Sequence, residues 1–89
     1  MIYSASFSET ADRQFSKLEK YVQQQIAKYI DKYIDGSANP RLRGLALKGS
    51  LRGLWRYDVG KYRLICDIQD GVCKVLVIKI GHRREVYRD

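Results

Sequence analysis

The chain has 89 residues, an apolar fraction of 45% and a formal net charge of +7. This length leaves room for one domain, residues 1–89, and the apolar content favours a folded protein over a disordered one. No apolar run reaches the roughly 18 residues of a membrane span, and the start of the chain lacks the basic residues and long apolar stretch of a signal peptide. We therefore expect a single-domain cytoplasmic protein that makes no membrane contact.

The positive charge is concentrated in the second half of the chain. Residues 1–40 carry five Lys/Arg and five Asp/Glu, whereas residues 41–89 carry twelve Lys/Arg and five Asp/Glu. Clustered Lys and Arg bind polyanions by neutralising phosphates, so this asymmetry indicates a nucleic-acid-binding face in the second half. A solubilising surface or an acidic protein partner would also account for the charge.

The first predicted elements are a short strand and a helical segment. The aromatic-ended segment Ile2–Phe7 is typical of a strand, and Ser8 then offers a helix cap. Apolar residues recur at helical spacing over the next stretch: Ala11, Phe15, Leu18, Val22, Ile26, Ile30 and Ile34. One long helix or two would fit, and we favour a helical hairpin joined near Leu18–Lys20. Gly36 ends it, and a turn-rich connector follows.

The second half predicts a β-meander. Residues 41–50 are typical of a basic loop with one short strand or turn. Three β-rich runs then follow at 54–59, 62–68 and 72–80, separated by glycine turns at Gly60–Lys61 and Asp70–Gly71. The last run has apolar residues at both odd-numbered and even-numbered positions, which predicts a central strand with the helices on one face. The predicted fold class is α+β: an N-terminal strand and a helical hairpin packed on a small antiparallel sheet completed by a C-terminal three-strand meander.

Two cysteines flank the second turn. A tight two-residue turn at Asp70–Gly71 would pair Cys66 with Val75 and make Cys66 and Cys73 diagonal neighbours. In a reducing compartment we expect two buried free thiols, without a disulfide or a metal site.

Polar side chains near the ends of the meander strands are the candidate functional residues. The sequence has one His, no glycine-rich phosphate loop and no metal-ligand spacing, so we expect neither metal nor cofactor. The meander would bring together Arg56, Arg63, Arg83, Arg84 and Tyr87. The alternatives are that the arginines are solvated surface charges and that Tyr87 is a packing residue, but the basic second half favours a functional role for Arg63 and Arg83.

Such a set suits RNA cleavage by the 2′-hydroxyl. That reaction needs a base, stabilisation of a dianionic phosphorane and an acid for the 5′-oxygen. Guanidinium groups bind phosphate oxygens, and positive charge around Tyr87 would favour its ionised form as the base. His82 is the alternative base or acid, although a lone exposed His is more often incidental. Lys48 and Arg84 are expected to be phosphate contacts or plain solvated charges.

Three segments occur in an order that resembles a known family: Gly53–Arg56, Val59–Leu64 and Gly81–Tyr87. The chain is similar over nearly its whole length to RelE toxins of the RelE/ParE superfamily. This resemblance implies an endoribonuclease that cuts messenger RNA in the ribosomal decoding site and is held inactive by a cognate antitoxin. Operator DNA would be bound only through the antitoxin complex.

The resemblance also assigns residues. Arg63 matches the arginine of the family's Tyr-Arg strand motif, Arg83 the arginine after the last strand, and Tyr87 the late tyrosine. Well-studied members carry two basic residues, two apart, on the first meander strand, and here that spacing falls on Arg56 and Asp58. Asp58 is an acidic departure from the pattern.

Two other functions remain open. A ParE-like toxin would share the fold and inhibit DNA gyrase without cutting RNA. A plain nucleic-acid-binding module acting with a repressor would bind without cleaving, with salt-dependent affinity alone.

Overall fold

The computed structural model describes residues 1–86 and confirms the α+β class. Its helices and strands, in chain order, are β1 (Ser4–Phe7), α1 (Glu9–Ser16), α2 (Lys20–Tyr33), β2 (Leu45–Ala46), β3 (Trp55–Val59), β4 (Tyr62–Gln69) and β5 (Lys74–His82). Within residues 1–86, no helix is long and apolar enough to cross a membrane.

The helical hairpin is confirmed, with its joint between Ser16 and Lys20. Ser8 caps α1, because its Oγ accepts a hydrogen bond from the Ala11 amide at 3.1 Å. Gln23 on α2 fixes the joint by donating from Nε2 to the Phe15 carbonyl at 2.9 Å, which satisfies an acceptor in the last turn of α1.

The sheet has the strand order β1-β5-β4-β3-β2. Strands β2 to β5 pair antiparallel, so the predicted meander is confirmed, and the short strand β2 extends it at one edge. β1 pairs parallel to β5 at the opposite edge, which makes the sheet mixed. β5 is therefore an interior strand, as its apolar sequence predicts.

Helices α1 and α2 supply the apolar residues that cover one face of the sheet. The core contains the predicted helix positions together with alternate strand residues: Ala11, Val22, Ile26, Ile30, Ile34, Tyr57, Val59, Leu64, Cys66, Val75, Val77 and Ile80. Tyr57 is fully buried and its hydroxyl donates to the Pro40 carbonyl at 2.6 Å, which ties the connector to the sheet. Burial raises the pKa of the Tyr57 phenol.

A β-bulge interrupts the pairing of β4 with β5. Ile65 pairs with Lys79, but the next residue, Cys66, pairs with Val77, so Ile78 is an extra residue on β5. A bulge of one residue exchanges the faces to which the following side chains point.

Helix α1 supports the bulged part of β5. The Gln14 Oε1 accepts a hydrogen bond from the Ile80 amide at 2.7 Å, and the Ser8 hydroxyl donates to the Ile78 carbonyl at 3.2 Å. Beyond the bulge, Ile80 points into the core under the helices. Gly81 therefore belongs to the opposite face of the sheet.

The connection between β4 and β5 differs from the prediction. Gln69 pairs with Lys74, so a four-residue loop replaces the two-residue turn, and Cys66 pairs with Val77 instead of Val75. A two-residue type I′ turn needs positive φ at both central residues. Here the loop is a 3-10 turn followed by Cys73, which has a φ of +50°.

The Asp70 side chain explains the longer loop. Asp70 accepts two hydrogen bonds from Arg41, at 2.9 and 3.0 Å, and one from the Tyr3 hydroxyl. The hydrogen bonds from Arg41 and Tyr3 lower the pKa of Asp70 to about 2. The turn conformation is thus fixed by contacts with distant parts of the chain.

Both cysteines are free thiols, as predicted. Cys66 is buried in the core, and this burial raises the pKa of its thiol. Cys73 is only partly buried in the loop, so the expectation that both thiols are buried and diagonal neighbours is wrong.

Candidate functional site

The candidate site lies on the sheet face opposite the helices, which we call the outer face. Side chains alternate along a strand, so Tyr57 and Leu64 point to the helices while Arg56, Asp58 and Arg63 point to the outer face. Lys79 joins this set through its register partner Ile65. The outer face thus carries three cationic side chains, two of which, Arg56 and Arg63, contact the Asp58 carboxylate.

Asp58 binds both arginines of this face. Arg56 donates from Nη2 to Asp58 Oδ2 at 3.2 Å, and Arg63 donates from Nε to Asp58 Oδ1 at 3.0 Å. The arginine side chains are 20% and 24% exposed, whereas that of Asp58 is 49% exposed. Each oxygen of one carboxylate is therefore held by a different guanidinium, in a position that solvent can reach.

The predicted grouping of Arg56 with Arg63 thus appears as two guanidiniums on a common anion. Sequence reasoning noted the acidic residue at 58 but did not find this contact. The sequence nevertheless contains the information that predicts it, because a two-residue turn at Gly60–Lys61 places residue 58 opposite residue 63.

The segment after β5 turns back towards the outer face. The Arg83 amide donates to the Lys61 carbonyl at 2.8 Å, and the Val86 amide donates to the His82 carbonyl at 2.9 Å. Val86 is buried, and its Cα lies 3.3 Å from the point where a Cβ on Gly81 would stand. Val86 is thus packed against Gly81, the strand position that pairs with Arg63.

His82 lies on the other side of the sheet. Its register partner is Tyr62, which packs against the core, and the two rings meet edge to face at 5.7 Å. The His82 Nδ1 accepts a hydrogen bond from the Arg84 amide at 3.1 Å, so the ring proton of the neutral form belongs on Nε2. The bulge is what separates His82 from the face that carries Arg63.

The remaining predicted residues occupy several positions. Arg83 and Arg84 are exposed in the turn after β5, and Lys48 is exposed in the loop between β2 and β3. Tyr87 lies outside the described residues. The structure therefore brings Arg56 and Arg63 together, and it places Lys48 on a separate element.

A groove beside the outer face was not predicted. It runs between α2 and β3, has a volume of about 290 Å³, and is lined in part by Lys28, Tyr29, Lys32, Tyr33 and Asp58. Asp58 therefore borders both the groove and the outer face.

Charge stabilisation is the chemistry that the described outer face can offer. Paired guanidiniums bind the oxygens of a carboxylate or a phosphate in a fixed geometry. Among residues 1–86, no three His, Cys, Asp or Glu side chains lie together in a way that could hold a metal ion.

Comparison with known proteins points to toxins of toxin–antitoxin systems. A sequence profile of the family described as "ParE toxin of type II toxin-antitoxin system, parDE" matches residues 5–87. Toxin RelG of Mycobacterium tuberculosis is 30% identical over 88 residues, which span 99% of this chain and 99% of that toxin.

Solved structures share the fold. The toxin–antitoxin complex RelBE2 from Mycobacterium tuberculosis contains a chain that superposes with a TM-score of 0.78 at 24% identity, covering 93% of this chain and 100% of that one. The isolated RelE toxin of E. coli gives a TM-score of 0.71 at 26% identity, covering 96% of this chain and 90% of that one. The family profile thus carries the ParE name, whereas these similar proteins carry Rel names.

Proposed function

The chain belongs to the RelE/ParE superfamily of toxins from type II toxin–antitoxin systems, and we propose that it is an endoribonuclease that cuts messenger RNA in the ribosomal decoding site. Such cleavage would inhibit translation. The observation that carries this proposal is the convergence of Arg56 and Arg63 on one anion at the outer face.

The two arginines suit the charge of the reaction. Attack of a 2′-hydroxyl on the adjacent phosphorus forms the 2′,3′-cyclic phosphate and breaks the bond to the 5′-oxygen, through a phosphorane that carries two negative charges. Arg56 and Arg63 already hold a carboxylate between neighbouring strands. Because neighbouring strands position these donors before the substrate binds, the guanidiniums themselves would need little reorientation to stabilise the phosphorane.

Proton transfer is assigned to the C-terminal segment. Tyr87 follows Val86 directly in the sequence, and Val86 packs against Gly81, the register partner of Arg63. We assign Tyr87 as the base and Arg83 as a second cation for the phosphate. His82 is the less favoured base, because it lies on the helix side of the sheet beside Tyr62.

The proposed partners follow from the same site. The similar chain of the RelBE2 complex occurs with an antitoxin, which supports a cognate antitoxin for this chain. We expect acidic or apolar side chains of that antitoxin to cover the outer face, while Lys48 and Arg84 contact RNA phosphates in the free toxin. Operator DNA would be bound through the antitoxin complex. The proposed substrate and the ribosome place the activity in the cytoplasm.

The test is expression without an antitoxin, followed by mapping of messenger 5′ ends. Wild-type protein should stop translation and produce cuts in translated messages, whereas Arg63→Ala should produce few. Purified toxin should cut RNA on programmed ribosomes and leave the same RNA largely intact without them. Efficient cutting of naked RNA would refute the ribosome dependence.

A second function is favoured by one specific observation, the match of residues 5–87 to the ParE toxin family. A ParE-like toxin would inhibit DNA gyrase and leave messenger RNA intact. DNA damage together with unchanged messenger 5′ ends after induction would select this function and reject the nuclease.

A further inference from the structure

The Asp58 carboxylate occupies the place that an RNA phosphate would take between two arginines. Its two oxygens accept hydrogen bonds from Arg56 at 3.2 Å and from Arg63 at 3.0 Å. Carboxylates and phosphates are bound by the same guanidinium fork. A phosphate that approaches these arginines must therefore compete with a carboxylate of the protein itself.

Asp58 can leave the arginines without disturbing the strand. β2 covers the edge of β3 only as far as the pair Leu45–Arg56, so Asp58 lies beyond the covered part of that edge. Its side chain is 49% exposed and borders the groove along α2, where Lys28 and Lys32 provide another cationic surrounding. Displacement of the carboxylate thus requires a side-chain movement alone.

The competition should be weak but sufficient to matter. Partly exposed ion pairs contribute little each, so displacing Asp58 from both arginines should cost a ligand roughly 3- to 30-fold in affinity. Such a factor disfavours RNA that binds through a few phosphate contacts. It matters far less for a message that the ribosome holds beside the toxin at high effective concentration.

We propose that Asp58 is a specificity-determining residue: its carboxylate competes with RNA phosphate for Arg56 and Arg63 and thereby disfavours free RNA relative to RNA held on the ribosome. The proposal rests on the proposed ribosome-dependent cleavage. It gives the acidic departure at position 58 a role in substrate selection.

The experiment compares Asp58→Asn with Asp67→Asn in the full-length toxin. Both substitutions remove one negative charge from the outer face, but the Asp67 carboxylate is held by Gln69 Nε2 at 3.0 Å. The probe is a labelled single-stranded RNA oligonucleotide with 2′-O-methyl groups, which cannot be cleaved. Affinity is measured by fluorescence anisotropy across a salt series, and thermal unfolding checks that each variant folds.

Asp58→Asn should bind the probe roughly 3- to 30-fold more tightly than wild type. Its logarithmic salt dependence should be steeper by about 0.7, the slope for one further phosphate contact on a single strand. Asp67→Asn should behave like wild type. Unmodified naked RNA should be cut faster by Asp58→Asn by a similar factor, whereas cleavage on programmed ribosomes should change less than about twofold.

Three results would overturn the inference. Unchanged or weaker probe binding by Asp58→Asn would mean that the carboxylate positions the arginines and does not compete for them. An equal gain in Asp67→Asn would assign the effect to overall charge, and an equal gain on ribosomes would remove the discrimination. Failure of wild type to cut RNA on ribosomes would instead reject the proposed function, and the uncleavable probe would still report whether Asp58 competes with phosphate.

Discussion

Replacing Gly81 by alanine tests whether the turn at residues 83–86 positions groups for the reaction. The backbone of Gly81 does not require glycine, since its φ is not positive. An added Cβ would stand 3.3 Å from the Val86 Cα and 3.4 Å from its Cβ, so the turn must give by a few tenths of an ångström. Gly81 pairs with Arg63, so this small movement occurs next to the candidate site.

The expected loss follows from the size of that movement. A misplacement of about 1 Å can cost about 10²-fold in rate, so a few tenths of an ångström should slow cleavage by about 3- to 10-fold. The free energy of unfolding should change by less than about 1 kcal/mol, because the entropy gained by replacing glycine offsets part of the contact strain. Activity should therefore fall while stability remains nearly constant.

Single-turnover cleavage on programmed ribosomes measures the rate, and urea unfolding measures the stability. Gly71→Ala is the matched control, since its φ is also not positive and no atom lies within 4 Å of its added Cβ. Gly71→Ala should cleave at the wild-type rate. If Gly81→Ala also cleaves at that rate with an intact fold, the position of the turn does not limit the reaction and the proposed role of the C-terminal segment is rejected.

Other substitutions test separate steps. Arg63→Ala should slow single-turnover cleavage by about 10²–10³-fold, the range for losing one preorganised donor, and a wild-type rate would remove Arg63 from the mechanism. Tyr87→Phe should reduce the chemical step while antitoxin binding survives; a normal rate with an inactive His82→Ala would assign proton transfer to His82. Tyr57→Phe should lower the free energy of unfolding, measured by urea denaturation, by about 1–3 kcal/mol, because the buried Pro40 carbonyl loses its hydrogen-bond donor. Asp70 stabilises the fold while ionised, so wild type should lose stability relative to Asp70→Asn between about pH 4 and pH 2, and parallel pH profiles would contradict this.

The elements with strong local signals were predictable from the sequence. The helical spacing and the cap at Ser8 identified α1 and α2, and the glycine turns identified the meander. The turn at Gly60–Lys61 also fixed the register that sets Asp58 opposite Arg63. In each case the residues that decide the structure are close together in the sequence, so a local sequence pattern is enough to predict the element.

The β4–β5 loop was not predictable because contacts from distant segments decide its conformation. Asp70 followed by Gly71 is a strong signal for a two-residue turn. Arg41 and Tyr3 bind the Asp70 side chain from elsewhere in the chain, and the loop takes four residues instead. The sequence around the turn contains no sign of these partners.

The sequence also does not predict which face of the sheet the last residues of β5 occupy. β5 has apolar residues at both its odd-numbered and its even-numbered positions, so its sequence does not reveal the extra residue Ile78. Without that bulge, alternation from Val77 would place His82 on the outer face. With it, His82 lies beside Tyr62, and Gly81 lies under Val86 on the outer face. The bulge therefore weakens the prediction of His82 as the base.

The positive charge of the protein has a long-range and a short-range effect. Asp58 reduces only the short-range effect, because it is paired with Arg56 and Arg63. Under the proposed function, exposed cations such as Lys48 and Arg52 would attract RNA over distances of about one Debye length, and they would set its association rate and much of the salt dependence of its binding. At the centre of the outer face, Asp58 neutralises part of the charge of Arg56 and Arg63. Under the proposed function, a surface arranged in this way would attract RNA generally, but Arg56 and Arg63 would bind only a phosphate that is held in place long enough to displace the carboxylate.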